Sequence, residues 1–218
     1  IPLETELQNV RKALQLIDKY GFGFTVITKS NRILRDLDFL QKINEKTKCV
    51  VQMTLTTYDE DLCRKIEPNV STTAERFEVL KTIRDAGIPT VVWLSPILPF
   101  INDNEENLVG ILNMCIEAKV RGIICFGMGV TLREGNREYF YEQLDRSFPG
   151  VKEKYIHTYG YQYMLDSPHN GYLMQIFHDT CEKHGIMHDN EQIFSYLSTF
   201  EEKEDFQQLS LWDEKGDQ

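Results

Sequence analysis

Lys29 ends the stretch "YGFGFTVITKSNRILRD", Tyr20 to Asp36, in which Gly23 to Ile27 is an apolar, β-branched run typical of a sheet interior. An ammonium group is almost never buried without a partner, so a lysine at the end of such a run calls for an anion. That anion is either a ligand or an internal carboxylate, for which Asp59 and Asp103 are the candidates. Arg133 and Arg137 flank a later loop, where they can meet an anionic substrate or pair with Glu134 and Glu138. "HDTCEKHGIMHD" holds His178, His184 and His188 beside Cys181 and Asp179. His184 and His188 have the spacing of two ligands on one helix face, but Gly185 interrupts that helix and no H-E-x-x-H core is present. Histidines at a helix carboxyl terminus, complementing its dipole, are the alternative. The cysteines Cys49, Cys63, Cys115, Cys125 and Cys181 are widely and irregularly spaced, with no C-x-x-C pair. They read as core thiols in a reducing, cytoplasmic setting.

The elements that must position these groups follow from periodicity. Leu7, Val10, Leu14 and Ile17 have helical spacing within Glu4 to Tyr20, and Gly21 can close that helix. Arg35 to Lys46 reads as a helix, "CVVQMTLTT" as a strand, and "STTAERFEVLKTIRDAG" as a capped helix ending on Gly87. "IPTVVWLSPILPF" is strand then loop, Glu105 to Lys119 a helix, and "RGIICFGMGV" a strand. Four strand–helix alternations imply a parallel sheet with helices packed on it.

Strand side chains alternate with period 2. Val51, Met53 and Leu55 therefore share one face, and Gln52, Thr54 and Thr56 the other. In the first strand Phe22, Phe24 and Val26 oppose Gly23, Thr25, Ile27 and Lys29. A doubly wound sheet is apolar on both faces; one greasy and one small or polar face points to an α/β barrel, or part of one, with a polar lumen. Ligands in parallel α/β folds gather at the carboxyl ends of the strands. Those ends are Thr28-Lys29-Ser30, Thr56-Thr57, Ser95-Pro96 and Gly127-Met128.

The 218 residues, 41% hydrophobic and 27% charged, suit a soluble globular chain of one large or two small domains. No apolar run approaches the ~18 to 20 residues that span a bilayer, and "IPLETELQNVRK" lacks the order of a signal peptide. The net charge of −10 argues against direct, non-specific grip on nucleic acid. The expected organisation is a partial barrel over 1–165, a carboxyl-terminal helix over 166–190, and an acidic, mobile tail over 191–218.

"GFTVITKSNRILRDLDFL", "VVQMTLTT", "KIEPNVSTTAERFEVLKTIRDAGIPT", "SPILPFINDNEEN" and "GVTLREGNREYFYEQLDRSFPGVKEKYIHTYG", in that order, resemble the spore photoproduct lyase-like branch of the radical SAM proteins, often described as DNA repair photolyases. The resemblance implies a partial (βα)6 barrel holding a [4Fe–4S] cluster and S-adenosylmethionine (SAM). It implies reductive cleavage of SAM to a 5′-deoxyadenosyl radical that abstracts a substrate hydrogen, with DNA or a nucleotide as substrate. It gives Lys29 the SAM carboxylate, Thr54 and Thr56 hydroxyl contacts to SAM, and Pro96, Ile97, Phe126 and Gly127 the adenine. Glu67-Pro68 and Arg76 match a Glu-Pro and downstream Arg of that branch, to be weighed against a helix stop and a surface arginine. The family's C-x3-C-x2-C loop has no counterpart, and only the tail of its "PYxPxE" stretch stands at Ile1-Pro2-Leu3-Glu4. The simplest account is the carboxyl-terminal part of a longer protein, missing two strands and the cluster loop and so inactive alone. The other is a natural member that kept the scaffold and lost the chemistry.

Within the acidic tail, Gln208-Leu209-Ser210-Leu211-Trp212 resembles the Q-L-[SD]-L-F peptide by which bacterial repair and replication proteins dock on the sliding clamp. Leu211 and Trp212 would be its apolar anchors, against a tail that folds back and buries Trp212.

Overall fold

The computed structural model describes residues 3–200. Its centre is a four-stranded parallel sheet in the order β1 (Phe24–Thr28), β2 (Cys49–Thr54), β3 (Thr90–Trp93) and β4 (Gly122–Ile124). Thr28 lies opposite Met53, Thr54 opposite Trp93, and Trp93 opposite Ile124, so the carboxyl ends form one rim. Helices α2 (Asn9–Lys19), α3 (Leu37–Lys46), α5 (Thr73–Asp85), α6 (Glu105–Glu117) and α9 (Asn170–His184) cover one face. Their apolar stripes bury Leu14, Leu40, Leu80, Ile111 and Phe177 against Val51, Met53 and Val92. This is the partial barrel expected from the alternation pattern.

The other face divides along its length. Val50 and Val91, near the start of their strands, and Ile124, the last residue of β4, are buried by Ile193 and Leu197 of α10 (Asn190–Ser198). The span expected to be mobile from residue 191 therefore begins with a helix that plugs the base of the sheet. Higher up, Gln52 bonds across the strands to Thr25 (2.7 Å) and accepts from the Trp93 indole (2.7 Å). Alternation thus separates Val51 and Met53 from Gln52 as expected, with the polar row on the lumen side.

Several boundaries differ from the expected ones for local reasons. The first helix breaks into α1 (Leu3–Leu7) and α2 at Gln8, whose φ is 51°, and Glu4 turns back to accept from the Asn9 and Val10 amides. A 3-10 turn, Asn31–Asp36, precedes α3. The "RGIICFGMGV" strand is interrupted after Ile124, because Gly127 has φ +117°, a region that L side chains rarely adopt. The chain then forms β5 (Gly129–Thr131), paired antiparallel with β6 (Met164–Asp166). A Cβ at Gly129 would lie 2.7 Å from Leu165 O, so the ribbon closes only over glycine. Leu165 packs with Leu144, Tyr155 and Tyr159, which belong to α7 (Asn136–Ser147) and α8 (Val151–Tyr159). The remaining helix, α4 (Glu60–Ile66), leads into the loop that opens α5.

Candidate functional site

Lys29 leaves the end of β1 on the lumen side and forms an ion pair with Glu67. Neither expected carboxylate is its partner. Asp59 caps α4 by accepting from the Leu62 amide (2.7 Å), and buried Asp103 accepts from Ser167 Oγ (2.5 Å). Glu67 is available because α4 ends there, its amide bonding Cys63 O (2.8 Å) before Pro68 ends any continuation.

Glu67 is held from behind by Arg76, one turn into α5, which a Thr72/Glu75 capping box starts. Arg76 is fully buried, not the surface arginine weighed from the sequence. Its Nη2 donates to Glu67 Oε2 (2.7 Å), Nη1 to Thr54 O (3.0 Å) and Nε to Ser71 O (2.7 Å). One guanidinium thus ties β2, the α4–α5 loop and Glu67 together. Burial by itself would raise the Glu67 carboxyl; bonds to Lys29 and Arg76 outweigh it and hold the group below its ordinary range.

The rim beside Lys29 is cross-braced by buried amides. Asn102 donates to Thr56 O (2.9 Å) and accepts from the Leu98 amide (2.6 Å), and Asn107 also donates to Thr56 O (3.0 Å). The loop after β4 is held likewise. Asn190 donates to Cys125 O (2.8 Å), and Asn170 accepts from the Met128 amide (2.7 Å). These asparagines were not foreseen as site residues; each lies far along the chain from the loop it fixes. Between these fixed points Phe126 stands 64% exposed, its ring 6.2 Å from Trp93 and stacked at 6.2 Å on Phe194.

Two adjoining clefts open on this rim. One, of about 360 Å³, is lined by Lys29, Thr56, Glu67 and Pro96, with Leu98 and Phe140 among its apolar walls. The other, of about 280 Å³, contains Pro96, Phe126 and Gly127. Pro96 and Val130 belong to both. Of the predicted SAM-binding set, Lys29, Thr56, Pro96, Phe126 and Gly127 are thereby brought together. Thr54 is buried just below, giving its carbonyl to Arg76. Ile97 points the other way: it is 2% exposed within the helix-side core, and its amide donates to Gly129 O (3.2 Å).

Neither predicted substrate arginine is among the residues lining the clefts. Arg137 is a correction: it is buried, and its guanidinium serves the carbonyls of Leu132 (3.2 Å), Gly160 (3.3 Å) and Gln162, not an acidic neighbour or a ligand. Arg133 is exposed and bonds the Tyr163 phenol, lowering the Tyr163 pKa. In the histidine cluster, His184 lies in the last turn of α9, which Gly185 closes with φ 65°, and the His178 and His188 rings lie 5.2 Å apart. Gln208, Leu209, Leu211 and Trp212 lie outside the described residues.

All five thiols are buried. Burial pushes Cys49 and Cys181 up to about 12 and raises Cys115 and Cys125 as well, the reverse of what a thiolate ligand needs. No three His, Cys, Asp or Glu side chains form a metal-holding group among the described residues, which therefore do not fit an iron–sulfur cluster. They do fit SAM's other requirements: a cation, a hydroxyl, an exposed ring and a glycine backbone around connected clefts. No helix among the described residues is long and apolar enough to cross a membrane.

Residues 3–114 match the family model for the radical SAM superfamily. The chain is 28% identical over 139 residues to an uncharacterised protein of Mycobacterium bovis, covering 64% of this chain and 40% of that protein. It is 32% identical over 104 residues to an uncharacterised protein of Methanocaldococcus jannaschii, covering 48% of this chain and 39% of the relative. The chain thus spans about two-fifths of the length of these relatives. Among solved structures, a mutant of spore photoproduct lyase with bound AdoMet and dinucleoside spore photoproduct superposes with TM-score 0.55. That likeness, at 13% identity, covers 83% of this chain and 53% of the lyase and is one of fold.

Proposed function

This chain belongs to the radical SAM superfamily, and from that premise we propose that its sheet rim is part of the SAM site of an enzyme resembling spore photoproduct lyase. The observation that carries the reading is the placement of Lys29. A lysine at the carboxyl end of β1 shares one cleft with Thr56 and Pro96, and that cleft adjoins the Phe126–Gly127 loop.

Each residue has a part that its chemistry suits. Lys29 donates to the SAM carboxylate, and the Thr56 hydroxyl supplies a further hydrogen bond. The exposed Phe126 ring offers a stacking face for adenine, and Gly127 lets the backbone approach without a Cβ. Leu98, Val130 and Phe140 give the larger cleft an apolar wall, and its volume leaves room for a substrate. Beside a reduced [4Fe–4S] cluster, SAM bound at this rim would supply the chemistry that takes a hydrogen atom from a substrate. Thiolates outside the described residues would have to hold that cluster. DNA or a nucleotide is the proposed substrate, and repair of a base lesion the proposed reaction.

Anaerobic reconstitution of the natural full-length protein tests this. It is expected to cleave SAM to 5′-deoxyadenosine when given a reductant, and no cleavage by a preparation with its cluster verified spectroscopically would refute the reading.

Lys29 is already paired with Glu67, which suits a second reading, a non-catalytic barrel; the tail's resemblance to a clamp-docking peptide would then give that barrel its partner. Gln208, Leu209, Leu211 and Trp212 would then form the contact. A Leu211→Ala, Trp212→Ala double variant is expected to lose clamp binding in a surface-immobilised assay; undiminished binding would remove the tail from the contact.

A further inference from the structure

The larger cleft has walls of different character. On the sheet side its polar groups are already spent, Asn102 on Thr56 O and the Leu98 amide, Glu67 on Lys29 and Arg76. Another wall is α7, which Phe140 and Leu144 tie to the cluster around Tyr155. Tyr139, Gln143 and Ser147 stand at i, i+4 and i+8 along that helix, so they share the face that lines the cleft. Among the described residues nothing bonds the Tyr139 phenol, the Gln143 carboxamide or the Ser147 hydroxyl. Charge follows the same pattern. Lys65, in the last turn of α4, lines the cleft and forms no ion pair with a described carboxylate. Its ammonium lies 4.2 Å from the centre of the Phe148 ring, which lines the cleft beside it.

The chemistry of these groups defines what completes them. A cation without a carboxylate calls for an anion. A carboxamide offers a donor and an acceptor in one plane, which match the amide or imide edge of a heterocycle. The Tyr139 ring is 66% exposed and one turn from Gln143, so a flat ring lying on it turns its edge toward the carboxamide. Anion, flat ring and hydrogen-bonding edge together describe a nucleoside phosphate. An acidic peptide would satisfy Lys65 but make no use of the phenol face. The net charge of −10 argues against grip by a broad basic surface, and a single lysine in a cleft needs none.

We propose that the α7 wall is a base-reading subsite, in which Gln143 determines which nucleobase is accepted, Tyr139 stacks on it and Lys65 takes its phosphate. This deepens the reading of the cleft as the substrate side of a SAM site, and rests on it. The structural alternative is a solvated helix face, with Lys65 complementing the carboxyl end of α4. It yields neither a base preference nor a phosphate preference.

Calorimetric titration of the natural full-length, reconstituted protein tests this, with SAM bound, no reductant, and the four 5′-deoxynucleoside monophosphates and their nucleosides as probes. The wild type is expected to favour one base about tenfold, the scale of a bidentate base contact. It should favour each monophosphate over its nucleoside about tenfold, the scale of a charge-assisted bond. Gln143→Leu should level the four bases and keep the phosphate preference; Lys65→Gln should remove the phosphate preference and keep the base order. Neither side chain is buried, so both variants are expected to fold. A single-stranded oligonucleotide of the favoured base identifies the source. Tighter binding than the monophosphate places the unit in a strand, equal or weaker binding makes it a free nucleotide, and either result supports the subsite. Equal binding of all four bases by the wild type, or a preference that survives its variant, overturns the proposal. Titration with SAM alone keeps the two levels apart. A wild type that binds SAM but no nucleotide, or a polyglutamate peptide instead, leaves the SAM site standing and overturns the inference. One that does not bind SAM overturns the reading beneath it.

Discussion

Arg76→Met is expected to lower the unfolding free energy by about 3–5 kcal/mol, the scale of removing one partner from a buried ion pair. The methionine fills much of the same volume but donates to nothing. Thr54 O, Ser71 O and Glu67 Oε2 each lose a donor in a place where water has little access. Glu67 keeps Lys29, so the damage is concentrated on the Arg76 side. Chemical denaturation at neutral pH measures the loss. The pH dependence supplies a second signature. Because the folded carboxyl of Glu67 sits below its ordinary range, its pairing stabilises the protein fully above about pH 4.3. That contribution fades as the pH falls through the folded value, when Glu67 takes a proton. Without Arg76 the folded value rises, so less is lost in acid. The gap between wild type and Arg76→Met should be widest near neutrality and narrow below about pH 4.3. A gap independent of pH would mean that packing, not charge, is what Arg76 supplies.

Lys29 was legible in the sequence because two local rules converge on it. An apolar, β-branched run must end where a charge begins, and period-2 alternation assigns that charge to one face. Its partner was not legible. Glu67 lies 38 positions further on, and its arrival depends on where α4 stops and on which carboxylates are already spent. Asp59 and Asp103 look equally suitable in one dimension, and each is consumed by a nearer donor. Arg76 and Arg137 show the same blindness from the other side. Both stand among charged neighbours that suggest a solvated helix face, yet both are buried because several backbone carbonyls converge on them. Hydrophobic patterning has no term for a cation that replaces missing backbone donors.

The break after β4 was readable in principle. Gly127 stands inside a strand-like run, and an isolated glycine there marks a departure from regular pairing. Ile97 misleads for the opposite reason: resemblance assigns it beside Pro96, but adjacent residues in an extended segment point to opposite sides, and only Pro96 reaches the clefts. At the base of the sheet, α10 covers strand residues that the alternation pattern left to a polar lumen. Its apolar positions Ile193 and Leu197 carry the usual i,i+4 signature, which the acidic character of the segment that follows obscured.

Lys29→Ala tests the central claim most directly, with SAM affinity measured by calorimetry on the natural full-length protein and its reconstituted cluster. The lysine is partly exposed, and Glu67 keeps Arg76 after the substitution, so the melting temperature should hardly move. Loss of a charge-assisted contact to a carboxylate is worth roughly a tenfold change or more. The account predicts SAM binding weakened at least tenfold in a protein that remains folded. Wild-type affinity in Lys29→Ala would contradict it and leave the lysine as the structural partner of Glu67.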